Sequence, residues 1–356
     1  MIPLPGAGPS QIDDVAGRAR GALYGLAIGD ALGMPTQMLS RRQITSRWGE
    51  MLAGFEPGPP GHRMTAGRPA GTVTDDTEQA ILLGRLLVTG RGTVDARRLA
   101  STLVNWEADM AARGSRDLLG PSTKRALAAV QAGVPPEEAG ASGDTNGAAM
   151  RITPVGIAVS VAGADRIGSP DSLAVLVDRV VEASKVTHNT GVALAGAAAV
   201  AAAVSAGIAG ATIPEATQAA VAAARLGSAR GHWVAGADVA ARIEWAIGLV
   251  AARPAVTAAE LICRLVGTSL ATQESVPAAF AVLSVVPDDP WRACRLAASL
   301  GGDTDTIAAM TGAVSGACHG LAAFPADAVA VIHALGLGLS SLADALLALR
   351  LRGSPQ

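Results

Sequence analysis

The run Gly191-Val192-Ala193-Leu194-Ala195-Gly196-Ala197-Ala198-Ala199-Val200-Ala201-Ala202-Ala203-Val204-Ser205-Ala206-Gly207-Ile208-Ala209-Gly210-Ala211-Thr212 contains no charged residue. Its length would span a bilayer. Ala and Gly dominate it, however, and Leu194 and Ile208 are its only large aliphatics besides a few Val, so its drive to insert is weak. Lys185 and His188 lie just upstream in a polar run. The stretch reads as the buried central helix of a helical protein, apolar on every side because every side is packed.

Working outward, almost every other segment also reads as helix. Ala16 to Gly33 is rich in small residues and interrupted by Gly29 and Gly33. Thr77 to Val88, Asp95 to Arg113 and Thr123 to Ala132 follow, then Ser172 to Ala183, Ile213 to Ala224, Ala237 to Ala251 and Ala258 to Val266. Pro277 to Val285, Pro290 to Leu300, Ile307 to His319 and Ala326 to Leu349 complete the pattern. Phe55 to Gly71 and Ala139 to Gly147 read as loops. Period-two alternation is absent, and no β-branched runs flank an Asn-Gly turn. The expectation is an all-α chain. Residues 1–14 read as a flexible N-terminal leader, and residues 15–352 as a single compact domain of more than ten helices.

Composition supports this. Of 356 residues, 50% are hydrophobic, 16% charged and 3% aromatic. The core must therefore be built from Ala, Val, Leu and Ile, and small side chains let helices approach closely. A formal net charge of −2 offers no field to draw nucleic acid or an anionic membrane. Neither GxGxxG after a strand nor GxxxxGK[ST] is present, so a Rossmann or P-loop nucleotide site is unsupported. Cys263, Cys294 and Cys318 are odd in number and widely spaced, which argues against a disulfide framework and for reduced, buried thiols in a cytoplasmic protein. The N-terminus lacks the pattern of a signal peptide.

In so apolar a chain the polar islands stand out. Two are acidic: Thr74-Asp75-Asp76-Thr77 and Gly301-Gly302-Asp303-Thr304-Asp305-Thr306. Both precede apolar helical runs, so capping explains part of each: Asp75 with Glu78 fits a capping box, and Asp303 or Thr304 fits a cap for a helix starting near Ile307. Capping needs one Asp or Thr per helix, not two of each, and adjacent carboxylates repel unless a positive charge lies between them. Oxygen-only donors suit hard cations such as Mg²⁺ or Mn²⁺. If the fold joins the clusters, four carboxylates meet. The remaining islands are Gly29-Asp30-Ala31-Leu32-Gly33-Met34-Pro35-Thr36-Gln37, Gly120-Pro121-Ser122-Thr123, Asp144-Thr145-Asn146-Gly147-Ala148-Ala149-Met150-Arg151 and Thr187-His188-Asn189-Thr190. Taken singly, each has an ordinary reading as a turn, a helix start or a buried hydrogen-bonded group.

Together they resemble the ADP-ribosylglycohydrolase family, which includes the dinitrogenase reductase-activating glycohydrolases. Five segments carry the resemblance, in order from about Ala16 to His319: Gly21-Ala22-Leu23-Tyr24-Gly25-Leu26-Ala27-Ile28-Gly29-Asp30-Ala31-Leu32-Gly33, Thr74-Asp75-Asp76-Thr77, Asn146-Gly147-Ala148-Ala149-Met150-Arg151, Thr187-His188 and Gly301-Gly302-Asp303-Thr304-Asp305-Thr306. The resemblance implies the all-α fold of that family and two divalent cations, Mg²⁺ or Mn²⁺. Their ligands would be Thr74, Asp75, Asp76, Asp303, Asp305 and Thr306, with Asp305 bridging. It implies an ADP-ribose site formed by Asn146, Gly147, Ala148, Met150 and His188. The implied reaction hydrolyses the glycosidic bond between ADP-ribose and an acceptor, either a modified protein side chain or a small molecule, with Asp76 and Asp303 as candidates to orient water. One position departs from the family pattern. A Glu near the metals usually follows the Gly-Asp-Ala-Leu-Gly segment, and here it is Gln37. Three readings follow: another carboxylate such as Glu78 or Asp109 takes part, the substrate is a free nucleoside or nucleotide sugar, or the chain binds ADP-ribose with little turnover.

Overall fold

The computed structural model describes residues 9–114, 119–162 and 168–353. Its helices, in chain order, are α1 (Pro9–Gly33), α2 (Arg41–Trp48), α3 (Asp75–Thr89), α4 (Ala96–Ala112), α5 (Pro121–Gln131), α6 (Pro136–Ala139), α7 (Gly147–Arg151), α8 (Thr153–Ala158) and α9 (Pro170–Ser184). Then come α10 (Gly191–Ile208), α11 (Ile213–Ser228), α12 (Val239–Val250), α13 (Ala255–Leu261), α14 (Thr272–Val285), α15 (Pro290–Ala298), α16 (Thr304–His319), α17 (Ala326–Ala334) and α18 (Leu339–Gly353). Among the described residues there is no strand; isolated bridges pair Thr145 with Ala271 and Thr190 with His232. The all-α expectation holds.

α10 is the buried helix read from its composition. Every residue from Ala193 to Ile208 is buried, under α7, α8, α9, α11, α14 and α16. An Ala methyl contributes only about 0.8 kcal/mol on burial, so a core of this kind gains its stability from close approach of backbones and the many dispersion contacts that follow.

The most extensive helix pair is α1 with α16. Four glycines spaced four apart on α1 face backbone on α16. A Cβ on Gly21 would lie 2.3 Å from Gly316 O, on Gly25 2.1 Å from Gly312 O, on Gly29 1.9 Å from Ala308 O, and on Gly33 2.4 Å from Thr304 O. Ascending numbers on α1 meet descending numbers on α16, so the helices run antiparallel. Spacing by four on both sides is the ridge pattern of close helix packing. Gly29, expected to interrupt the first helix, instead lies inside it, and Gly33 is its last residue. The antiparallel register sets the C-terminal end of α1 beside the N-terminal end of α16.

The structure differs from the sequence expectations in further places. The expected helix Ala326 to Leu349 is two helices, α17 and α18, bent by 94°, with Gly336 and Gly338 in the left-handed region between them. α2 went unread in a polar stretch, where Ser40 and Gln43 form a reciprocal capping box. α7 and α8 follow at once from what was read as a loop. Of the expected leader, residues 1–8 lie outside the described residues, and α1 begins at Pro9.

The seam makes a paired prediction. Gly25→Ala or Gly29→Ala should destabilise the protein by about 3 kcal/mol or more, because a methyl cannot fit without parting two helices. Gly17→Ala, in the same helix with nothing within 4 Å of the added carbon, should stabilise it by about 0.5–1 kcal/mol. Denaturant unfolding of the three variants checks this.

Candidate metal and ligand site

Each acidic cluster opens a helix. Thr74 is the N-cap of α3 and accepts from Asp76 N, so the cap is Thr74 rather than the expected Asp75–Glu78 box. Glu78 turns away to accept from Trp106 Nε1 at 2.6 Å. α16 starts at Thr304, three residues before the expected Ile307, and Asp303 stands at its N-cap position without a side-chain capping bond. Both helices direct their positive dipole ends at the carboxylates.

The clusters meet. Thr74 Oγ1 and Thr306 Oγ1 each donate to Asp76 Oδ2 at 3.3 Å, although Thr306 is 230 residues further along the chain. Asp75, Asp76, Asp303, Asp305 and Thr306 line one cavity of about 250 Å³, together with Gln37, Asn146, Gly147 and Met150. Asn146 Nδ2 donates to Asp303 Oδ2 at 2.6 Å and to Ser275 Oγ at 3.0 Å. Clefts of about 460, 630 and 320 Å³ elsewhere among the described residues are larger, but none gathers such a set of acidic groups.

Asp76 is buried, and its Oδ1 has no hydrogen-bond partner. Burial, then the charges of Asp305, Asp75, Asp30 and Asp303, holds its carboxyl well above the usual carboxylate range. Among the described residues no three His, Cys, Asp or Glu side chains are drawn together as tightly as a bound ion requires. The donor set of carboxylates and hydroxyls is nonetheless one that suits a hard cation, and a positive ion is what an orphaned oxygen among four acids lacks.

Asp30, in the polar island Gly29 to Gln37, has a role that no local pattern indicates. It is fully buried on α1 and organises the first turn of α3. Thr74 N donates to both its oxygens at 3.0 and 2.9 Å, and Thr77 N and Thr77 Oγ1 donate to Oδ2 at 3.1 and 2.5 Å. Burial pushes its pKa up to about 6 against the pull of these bonds. The glycine pair preceding Asp303 is clipped in the same manner. Met38 N donates to Gly302 O at 2.6 Å and Gly302 N to Leu39 O at 2.8 Å. Gly302 has φ +78°, and a Cβ there would strike Thr268 O at 2.2 Å.

Gln37 sits in the cavity wall. It is 3% exposed, with Nε2 buried and unpartnered. His62 went unread in the sequence. Its Nδ1 accepts from Met64 N and Thr65 N at 3.2 and 3.0 Å, which leaves Nε2 to donate to Gln37 O at 2.8 Å. That bond pins the Gln37 backbone. Glu78 and Asp109 do not line the cavity, and Asp109 instead pairs with Arg113 on the surface at 2.8 Å. Ala148 is buried and does not line the cavity. His188 is also fully buried and reaches the cavity through Thr145, whose Oγ1 lies 3.0 Å from His188 Nε2. Thr145, Met38, Met64, Leu119 and Leu270 complete much of the lining. No sequence signal singled out the last four, which are ordinary apolar residues until the fold places them. Cys294 and Cys318 are buried as expected, whereas Cys263 is half-buried; all three are free thiols.

Burial, then the positive charges of Arg151 and Arg125, holds His188 neutral with a pKa well below 6.5. In the unfolded chain it protonates near pH 6.5. Below that pH the unfolded state binds the extra proton, so the stability tied to neutral His188 is complete above about pH 6.5 and declines as pH falls toward the folded pKa. The stability of the wild type should therefore fall faster than that of His188→Asn between pH 7 and 5, by up to about 1.4 kcal/mol per pH unit. Thermal unfolding across that range measures the difference, and parallel curves would contradict it.

The sequence profile of the ADP-ribosylglycohydrolase family matches residues 11–355. The chain is similar to the protein YegU of Escherichia coli (strain K12), 35% identical over 305 residues that cover 85% of this chain and 88% of that one. It is 31% identical over 195 residues to the ADP-ribosyl-(dinitrogen reductase) glycohydrolase of Rhodospirillum rubrum, covering 51% of this chain and 53% of that one. A solved ADP-ribosylglycohydrolase-related protein complex shares the fold with a TM-score of 0.64 at 25% identity, covering 95% of this chain and 99% of the other. With the profile spanning nearly its whole length and the fold shared across that span, this protein belongs to the ADP-ribosylglycohydrolase family.

Proposed function

We propose that the cavity hydrolyses the glycosidic bond between ADP-ribose and an acceptor, with two divalent cations, Mg²⁺ or Mn²⁺, bound at the carboxylates. The observation that carries this reading is the meeting of the two clusters on Asp76, where hydroxyls from α3 and α16 converge on one carboxylate oxygen. Thr74, Asp75, Asp76, Asp303, Asp305 and Thr306 would hold the ions. When bound, the ions would supply Lewis acidity at the ribose and lower the pKa of water. Asp303 orients the attacking water, and Asn146 steadies its carboxylate. Negative charge near the anomeric carbon favours an oxocarbenium-like transition state. Asn146, Gly147 and Met150 bound the space for ADP-ribose. His188 supports that wall through its bond to Thr145. The three free thiols fit a cytoplasmic setting.

Gln37 supports a second reading, a site that binds ADP-ribose and turns it over slowly. An amide cannot act as a carboxylate base. Its unpartnered Nε2 is instead a donor for an oxygen of the ligand.

Two measurements follow. Release of ADP-ribose from a modified acceptor should require Mg²⁺ or Mn²⁺ and should fall by about 100-fold or more in Asp303→Ala or Asp305→Ala. Full activity in excess EDTA would overturn the metal-dependent reading. Gln37→Glu should raise turnover by about 100-fold if a missing carboxylate limits the reaction. If turnover is unchanged or lower, the amide is suited to the chain's own substrate.

A further inference from the structure

Arg151 is a fully buried guanidinium. Its hydrogen bonds run to Gln79 and Thr187, its Nε has no acceptor, and it makes no direct ion pair among the described residues. A buried, unpaired charge is costly unless compensated nearby. Burial has pushed its pKa down to about 10, and Asp75 is the charge that pulls it back.

The link to Asp75 passes through one amide. Arg151 Nη1 donates to Gln79 Oε1 at 3.0 Å, and Gln79 Nε2 donates to Asp75 Oδ2 at 2.7 Å. A guanidinium only donates and a carboxylate only accepts, so the Gln79 amide has a single allowed orientation. On its other side, Arg151 Nη2 donates to Thr187 Oγ1 at 2.6 Å. Thr187 Oγ1 lies 2.8 Å from His188 Nδ1, and His188 Nε2 lies 3.0 Å from Thr145 Oγ1. Asp75 and Thr145 both line the cavity. A continuous line of side chains thus leaves the cavity at one wall and returns at another, with its only cation in the middle.

We infer that Arg151 and Gln79 are positioning residues for the metal centre: the guanidinium orients the Gln79 amide, and the amide holds the Asp75 carboxylate in the orientation that takes a divalent cation. The inserted amide has a physical rationale. A direct Arg151–Asp75 pair would commit the carboxylate's charge to the guanidinium. A neutral amide transmits direction while leaving that charge for an ion. Partners of this kind, bonded behind a ligand, typically change metal affinity by about 10–100-fold when removed. The inference rests on the reading of Asp75 as a cation ligand.

Titration of the full chain with Mn²⁺, followed by calorimetry well below the unfolding temperature, tests it. Gln79→Leu and Arg151→Met should each weaken Mn²⁺ binding by about tenfold or more. The double variant should be little weaker than the weaker single, because both act through one bond to Asp75. Wild-type Mn²⁺ affinity in either folded single variant, or losses that simply add, would overturn the relay while leaving the metal site standing. No Mn²⁺ uptake by the wild-type chain would instead remove the metal reading and the relay with it. If Arg151→Met does not fold, Gln79→Leu, which keeps the buried charge, decides the matter alone.

Discussion

The contact between α1 and α16 is the constraint on which the rest of the molecule depends. At Gly21, Gly25, Gly29 and Gly33 the α1 backbone lies against α16 with no room for a methyl group. So close an approach fixes the axial register of the two helices, because sliding by one residue would drive a side chain into a carbonyl. The register then decides where the acidic groups of the candidate site lie. Asp30 and the turn leading to Gln37 emerge at one end of α1, and Asp303, Asp305 and Thr306 begin α16 beside them. α10 packs on α16 as well, so the whole core refers to the same pair.

Acidic groups inside an alanine-rich core need strong local arrangements to stay there. Asp30 is satisfied by donors from the first turn of α3, which ties that helix to the seam. Asp303 is freed from its capping role and takes Asn146 instead. Asp76 keeps one oxygen unpartnered among other carboxylates. The fold thus satisfies the structural acid completely and leaves Asp76 at the cavity incomplete. That imbalance distinguishes a site from a set of helix caps. Gln37 adds a neutral amide where the resemblance leads one to expect an acid, and His62 holds its backbone in place.

Much of this was legible in the chain. The uncharged Ala/Gly run at Gly191–Thr212 could be read as a core helix because nothing in it favours either water or lipid strongly. The acidic clusters were legible because they hold more oxygens than a cap needs. Other parts left no local trace. His62 lies in a turn-rich segment where polar residues are unremarkable. Met38, Met64, Leu119 and Leu270 are common apolar residues, and only their placement makes them a cavity wall. The break between α17 and α18 was missed because apolar periodicity continues through Gly336 and Gly338. Their left-handed backbone, not their hydrophobicity, turns the chain.

By itself, the sequence determined the helical class, the family and the residue types of the candidate site, since these depend on composition, local periodicity and ordered short motifs. Tertiary structure alone decided which of those residues touch. Thr306 reaches the Asp76 carboxylate oxygen that Thr74 also holds, across 230 residues of chain. His188 is kept from the cavity by Thr145, and Arg151 reaches Asp75 only through Gln79. The reason is physical: a local pattern sets the face a helix presents, but contact between distant side chains depends on helix register. Here that register is set by glycines whose effect appears only when two backbones meet.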